Sequence, residues 1–193
     1  MKPTQRDPHA RSSSDAGQEP LRPGDLLLAD PFLNDPSFER SVVLVLHTDL
    51  EGKDGLGLVL NRRLPGELPD SIFRSGGPVE MDTWFSLELR NLQSPSVELR
   101  FTQVGDDASL EAYRGERFLE PSIQSFIAYY RGYAGWSPGQ LQVELNQKAW
   151  VVCRCGFDWV SSIFQDDLWS TLLTGMGGEY AAMARYPRHP NLN

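Results

Sequence analysis

Four polar residues gather at the ends of two apolar runs. Asp35 and Arg40 precede residues 41–47 (SVVLVLH), and Asn61 and Arg62 follow residues 56–60 (LGLVL). A carboxylate, an amide and two guanidiniums are side chains suited to reading a small polar or anionic ligand. The arginine fork in particular matches a carboxylate or phosphate through paired donors. A structural account competes with the functional one. Asn34-Asp35-Pro36-Ser37 is a turn signal in which the Asp side chain accepts from backbone two residues on. Arg40 can equally serve as one half of an ion pair, or lay its stem on apolar surface. Gly76 and Gly77 in the turn Ser75-Gly76-Gly77-Pro78 join the candidate set, because glycine permits close backbone approach to a ligand or to a neighbouring strand. The site expected from sequence is therefore Asp35, Arg40, Asn61, Arg62, Gly76 and Gly77.

Other reactive side chains are sparse. Of the three histidines, His9 and His189 lie near the termini, which leaves His47 as the candidate general base, with no assigned partner. Cys153 and Cys155 are two residues apart. A disulfide across that spacing is strained, and two thiols without nearby ligands make a weak metal site. The chain contains no P-loop, His-Glu-x-x-His or Gly-x-Ser-x-Gly string. The expectation is no catalytic residue, no metal and no cofactor, which weighs against an enzyme.

The elements that must position these residues follow from patterning. Short apolar runs rich in Val and Leu, bounded by turn residues, read as strands covered on both faces. The charged connector over residues 48–55 suits an antiparallel pair, which would bring Arg40 close to Asn61. Residues 26–28 form another buried strand, and residues 84–90 and 97–104 alternate with period two as half-buried antiparallel strands do. Further strands are expected over residues 123–133 and 149–155. A short helical turn is expected near residues 69–73, and helices over 106–115, 166–175 and 179–185. Gly132-Tyr133-Ala134-Gly135-Trp136 reads as a tight turn before another helix, with Ser137 as N-cap, Pro138 at the first helical position and Gln140 at capping-box spacing. The fold class is α+β, in one domain covering residues 23–193. Residues 1–22 form a tail, whose first 20 residues hold no large apolar side chain beyond Met1 and are expected to be disordered.

Composition narrows the partners. The net charge is −8, and residues 1–20 contribute nothing to it, so the acidity belongs to the domain. An acidic domain is a poor candidate for nucleic acid or an anionic membrane, which attract clustered Lys and Arg. Two cysteines make no disulfide framework, and there is no apolar leader or membrane-spanning stretch, so a cytoplasmic protein is expected.

Five blocks in order resemble the YqgE/AlgH family. They are Gly24-Asp25-Leu26-Leu27-Leu28-Ala29-Asp30-Pro31 with Leu33; Asp35-Pro36-x-Phe38-x-Arg40-Ser41-Val42-Val43; Gly57-Leu58-Val59-Leu60-Asn61-Arg62; Gly76-Gly77-Pro78-Val79; and Gly132-Tyr133-Ala134-Gly135-Trp136-Ser137-Pro138-Gly139-Gln140-Leu141. The resemblance implies a largely antiparallel, bifurcated sheet curled into a pseudo-barrel. It implies no particular reaction. The family's label of transcriptional regulator comes from genetic effects rather than from a defined site. The family's usual His near residue 88 is replaced here by Glu88, so no role of that His transfers.

Three function classes are left. The first, favoured, is a non-catalytic regulatory or interaction protein acting through a protein partner or a small metabolite. The second is a small-molecule binder or enzyme using Asp35, Arg40, Asn61 and Arg62. The third, direct DNA binding, is disfavoured by charge.

Overall fold

The computed structural model describes residues 19–48, 55–67, 71–92, 97–116, 125–163 and 167–187. Strands β1 (Leu26–Ala29), β2 (Val42–Thr48), β3 (Gly55–Val59), β4 (Arg62–Arg63), β5 (Phe73–Ser75), β6 (Val79–Arg90), β7 (Glu98–Gly105), β8 (Ser125–Trp136) and β9 (Trp150–Cys153) form one sheet. Helices α1 (Asp107–Glu116), α2 (Gln140–Asn146), α3 (Leu168–Met176) and α4 (Gly178–Met183) lie against it, with a 3-10 turn at Asp158–Ser162.

The sheet runs β4-β5-β8-β3-β2-β1-β9, and β6 and β7 branch from β8. Strand β8 is the fork. Its first half lies between β5, which is parallel to it, and β6, which is antiparallel; its last residues pair with β3, Gly55 opposite Trp136 and Gly57 opposite Ala134. The result is a curled half-barrel of the α+β class, as the resemblance implied.

The two apolar runs are continuous because both faces of the sheet are covered. Side chains alternate: Leu26, Leu28, Val42 and Leu44 enter one core, which Trp159, Leu168, Trp169 and Leu173 close. Leu27, Ala29, Val43 and Val45 enter a second core with Trp136 and Trp150, against which Phe38, Leu141 and Leu145 pack. A third cluster, Trp84, Leu110 and Tyr129, sits under α1. Each fully buried Leu or Val contributes about 1.5–3 kcal/mol relative to exposure, so the central strands carry much of the stability.

The structure corrects several local expectations. Residues 132–136 continue β8 rather than turning, because Gly135 and Trp136 are held in register by Leu56 and Gly55. Helix α2 begins at Gln140 with Gly139, not Ser137, at its N-cap, and Gly139 makes no side-chain cap bond. Half of the capping box survives: the Gln140 side chain accepts from Ser137 N at 3.0 Å. Strand β9 stops at Cys153. Phe73 opens β5 instead of closing a helical turn, and residues 68–70 lie outside the described residues. Residues 1–18 of the expected tail also lie outside them. Its last four have contacts: Glu19 O accepts from Arg154, and Leu21 packs on the second core.

Candidate functional site

The segment between β1 and β2 is built by Asp35. Its carboxylate accepts from Ser37 N at 2.8 Å, and its carbonyl accepts from Phe38 N and Glu39 N. This turn ends at Arg40 with φ 51°, a left-handed conformation rare for a residue with a side chain. That turn of the backbone aims the Arg40 carbonyl at Asn61 and its side chain at the C-terminal helices.

Asn61 extends the β2–β3 ladder with its own amide. Its Nδ2 donates to Arg40 O at 2.8 Å and its Oδ1 accepts from Val42 N at 2.9 Å. Arg62 donates to Glu39 O at 2.5 Å. Antiparallel topology thus brings Arg40, Asn61 and Arg62 together, and Asp35 shapes the turn that they clamp.

Arg40 extends the cluster beyond what the sequence indicated. Its Nη2 donates to Asp167 Oδ2 at 2.8 Å and its Nη1 to Tyr186 O at 2.9 Å, while the guanidinium lies 4.1 Å from the ring centroid of Trp169. Asp167 caps α3 with its other oxygen, accepting from Ser170 N, and Trp169 Nε1 donates to Ala29 O at 2.8 Å. The Arg40 side chain is 15% exposed. Beside it, Phe32 and Tyr186 meet edge to face at 5.2 Å, 51% and 42% exposed. Asp167, Trp169 and Tyr186 were missed by sequence reasoning, although an Asp ahead of an apolar helix is a visible cap signal.

Gly76 and Gly77 lie apart from this cluster, against β8. A Cβ on Gly76 would fall 2.2 Å from Gly132 O, and Gly77 has φ 149° with Tyr133 backbone equally close. Gly76 also bridges strands, donating to Arg131 O and accepting from Val59 N. Their close approach is to a neighbouring strand.

A second polar group lies beneath α1. Ser86 Oγ and Tyr113 OH are 3.0 Å apart, Tyr113 OH donates to Glu88 Oε1 at 3.1 Å, and Arg90 pairs with Glu88 Oε2 at 3.1 Å. Ser86 and Glu88 are buried. The alternation of Phe85, Leu87 and Leu89 on the opposite face could have revealed this set, since residues 86, 88 and 90 must then share a side.

His47 is exposed at the end of β2. Cys153 is buried and Cys155 half-buried, and their thiols hydrogen-bond. That bond holds the Cys153 thiol below its ordinary value, and the same contact, with burial, pushes Cys155 up. Among the described residues, no three His, Cys, Asp or Glu side chains are placed to hold a metal ion together.

The family model described as AlgH-like matches residues 26–181. A UPF0301 protein of Streptomyces coelicolor is 35% identical over 185 residues, covering 88% of this chain and 94% of the relative. One from Chlorobaculum tepidum is 30% identical, covering 91% and 97%. The chain belongs to the AlgH-like, UPF0301 family. Among solved structures, the AlgH protein from Pseudomonas aeruginosa superposes with a TM-score of 0.55 at 25% identity, covering 86% of this chain and 94% of that one. A Corynebacterium diphtheriae protein gives 0.63 at 20% identity, covering 88% and 94%, a likeness of fold alone.

Proposed function

We propose that this chain is a non-catalytic interaction protein of the cytoplasm, with a regulatory role exerted through a protein partner. One observation carries the reading. The polar groups at the mouth of the central strands bind the chain itself, and the clasp they form holds an exposed aromatic pair, Phe32 and Tyr186, at the surface. Aromatic side chains with one face free and their position fixed are the anchors that protein interfaces favour. The family's label of transcriptional regulator is then indirect, because a net charge of −8 disfavours the phosphate contacts that DNA binding needs. Among the described residues no helix is long and apolar enough to cross a membrane.

The experiment is site-specific photo-crosslinking in cells from a benzophenone at Phe32, with His47 as a control position. A discrete adduct from Phe32 that vanishes in Tyr186→Ala supports the reading. Equal, diffuse labelling from both positions would sink it. Anisotropy titration with mixed duplex DNA at low salt should show no micromolar binding.

The second reading is a small-molecule binder or enzyme centred on Asp35, Arg40, Asn61 and Arg62, and the meeting of Arg40 with Asn61 favours it. Native mass spectrometry of freshly purified protein separates the two. A stoichiometric small molecule, lost in Arg62→Ala, would support this second reading.

A further inference from the structure

We propose that Cys153 and Cys155 form a redox-reversible dithiol, a site at which a peroxide closes a labile disulfide over Arg154. This site is separate from the aromatic pair and does not rest on the interaction reading.

The end of β9 brings the two sulfurs together. Cys153 is the last residue of the strand, opposite Leu26, and its side chain belongs to the first core. Cys155 packs against that same core, so the two side chains lie on one side of the chain. Arg154, between them, is exposed and faces the other way. Its Nε lies 3.4 Å from Asp25 Oδ2, the residue that the β1–β9 register, carried one step further, sets opposite it. Residues two apart in a regular strand are separated by roughly 6.6 Å, near the upper limit of what a disulfide spans. Cys155 lies beyond the last ladder pair and is followed by Gly156 at φ 61°, so strand pairing does not hold that separation.

The pair is also primed for reaction. These are the only two cysteines of the chain, and the fold sets their thiols in contact. Cys155 donates a hydrogen bond to the Cys153 sulfur, which holds the Cys153 thiol below its ordinary value although burial and Asp25 oppose the shift. The thiolate is the nucleophilic form. Cys155, half-buried, gives the pair its opening to solvent.

The step balances with one hydrogen peroxide. The Cys153 thiolate attacks a peroxide oxygen, the O–O bond breaks, and a sulfenic acid and hydroxide result. Hydroxide takes the Cys155 proton. The Cys155 sulfur then attacks the Cys153 sulfur, the S–O bond breaks and the S–S bond forms. Counting the proton that Cys153 first gave up, two thiols and one peroxide give one disulfide and two waters. The sulfurs lose two electrons and the peroxide gains them. A ring closed over a single intervening residue keeps some strain, and strained disulfides are the easily reduced ones. The bond is therefore a switch that a thiol buffer reopens, not a staple.

Intact-mass spectrometry of the full chain after brief treatment with a small excess of hydrogen peroxide tests the site, with a non-reducing gel beside it. The expected product is a monomer lighter by two hydrogens, with both thiols lost to an alkylating probe. Excess reduced glutathione should restore both. Cys155→Ala, at a half-buried position, should consume peroxide several-fold more slowly and give oxygen addition at Cys153 in place of the disulfide. Oxygen addition at the parent's cysteines, a disulfide-linked dimer, thiols left free, or a bond that resists glutathione would each overturn the proposal. So would peroxide consumption by Cys155→Ala as fast as by the parent.

Discussion

Arg40 and Arg74 are both largely buried guanidiniums, yet their surroundings are opposite in kind. Arg40 meets a carboxylate, a backbone carbonyl and an indole face within a single reach. Arg74 sits opposite Arg63 and Tyr130 in the register of three neighbouring strands, and its Nη1 reaches Leu60 O at 3.4 Å. The first arrangement joins distant parts of the chain and is complete in itself. The second stays within three neighbouring strands of the sheet. The difference teaches that a charged residue flagged from sequence can be structural, while an equally buried one goes unmarked on a strand only three residues long.

The comparison is calibrated by a core deletion. Trp136, the last residue of β8, is buried against β3 and α2, its indole donating to Glu144 Oε2 at 2.9 Å beside Trp150, which donates to the same oxygen at 2.7 Å. Trp136→Ala should cost about 3–5 kcal/mol in urea unfolding. Arg40→Ala should come next, at about 2–3 kcal/mol, because it strands Asp167 and the Tyr186 carbonyl and removes the stack on Trp169. A double-mutant cycle with Asp167→Ala should give a coupling of at least ~0.5 kcal/mol. Strict additivity would break the picture of a clasp. Asn61→Ala should cost about 1–2 kcal/mol by leaving Val42 N and Arg40 O without their partner. Smallest, and opposite in sign, is Tyr130→Phe. Removing an orphaned hydroxyl should leave stability unchanged or raise it by about 0.5–1 kcal/mol. A clear loss would mean that the hydroxyl has a partner in solution, and the contrast with Arg40 would collapse.

Much of this was legible in the sequence where a local rule and the tertiary structure agree. The Val and Leu runs at residues 42–45 and 56–60 announced doubly covered strands, and antiparallel pairing alone placed Arg40 beside Asn61. The remainder was hidden for physical reasons. Arg40 finds Asp167 across 127 residues of chain, a contact that no local pattern encodes. The run Gly132–Trp136 looks like a turn because it holds two glycines, but Gly132 lies against the Gly76-Gly77 backbone and Gly135 opposite Leu56, where a strand packs closely. The row through Arg63, Arg74 and Tyr130 depends on a two-residue strand and a parallel pairing, both too short to leave a periodicity.

The forked strand β8 also sets an order of events. It joins β3, β5 and β6 from a position late in the chain, and β1 does not gain its outer neighbour until Leu26 meets Cys153. A chain emerging from the ribosome can form the β2–β3 hairpin early, but its two apolar faces stay uncovered until some hundred further residues have followed. Folds that wait for such distant pairings form slowly and expose sticky surface meanwhile. The same fork that gives the finished half-barrel its closure therefore makes the nascent chain a natural client for whatever shields hydrophobic strands during synthesis.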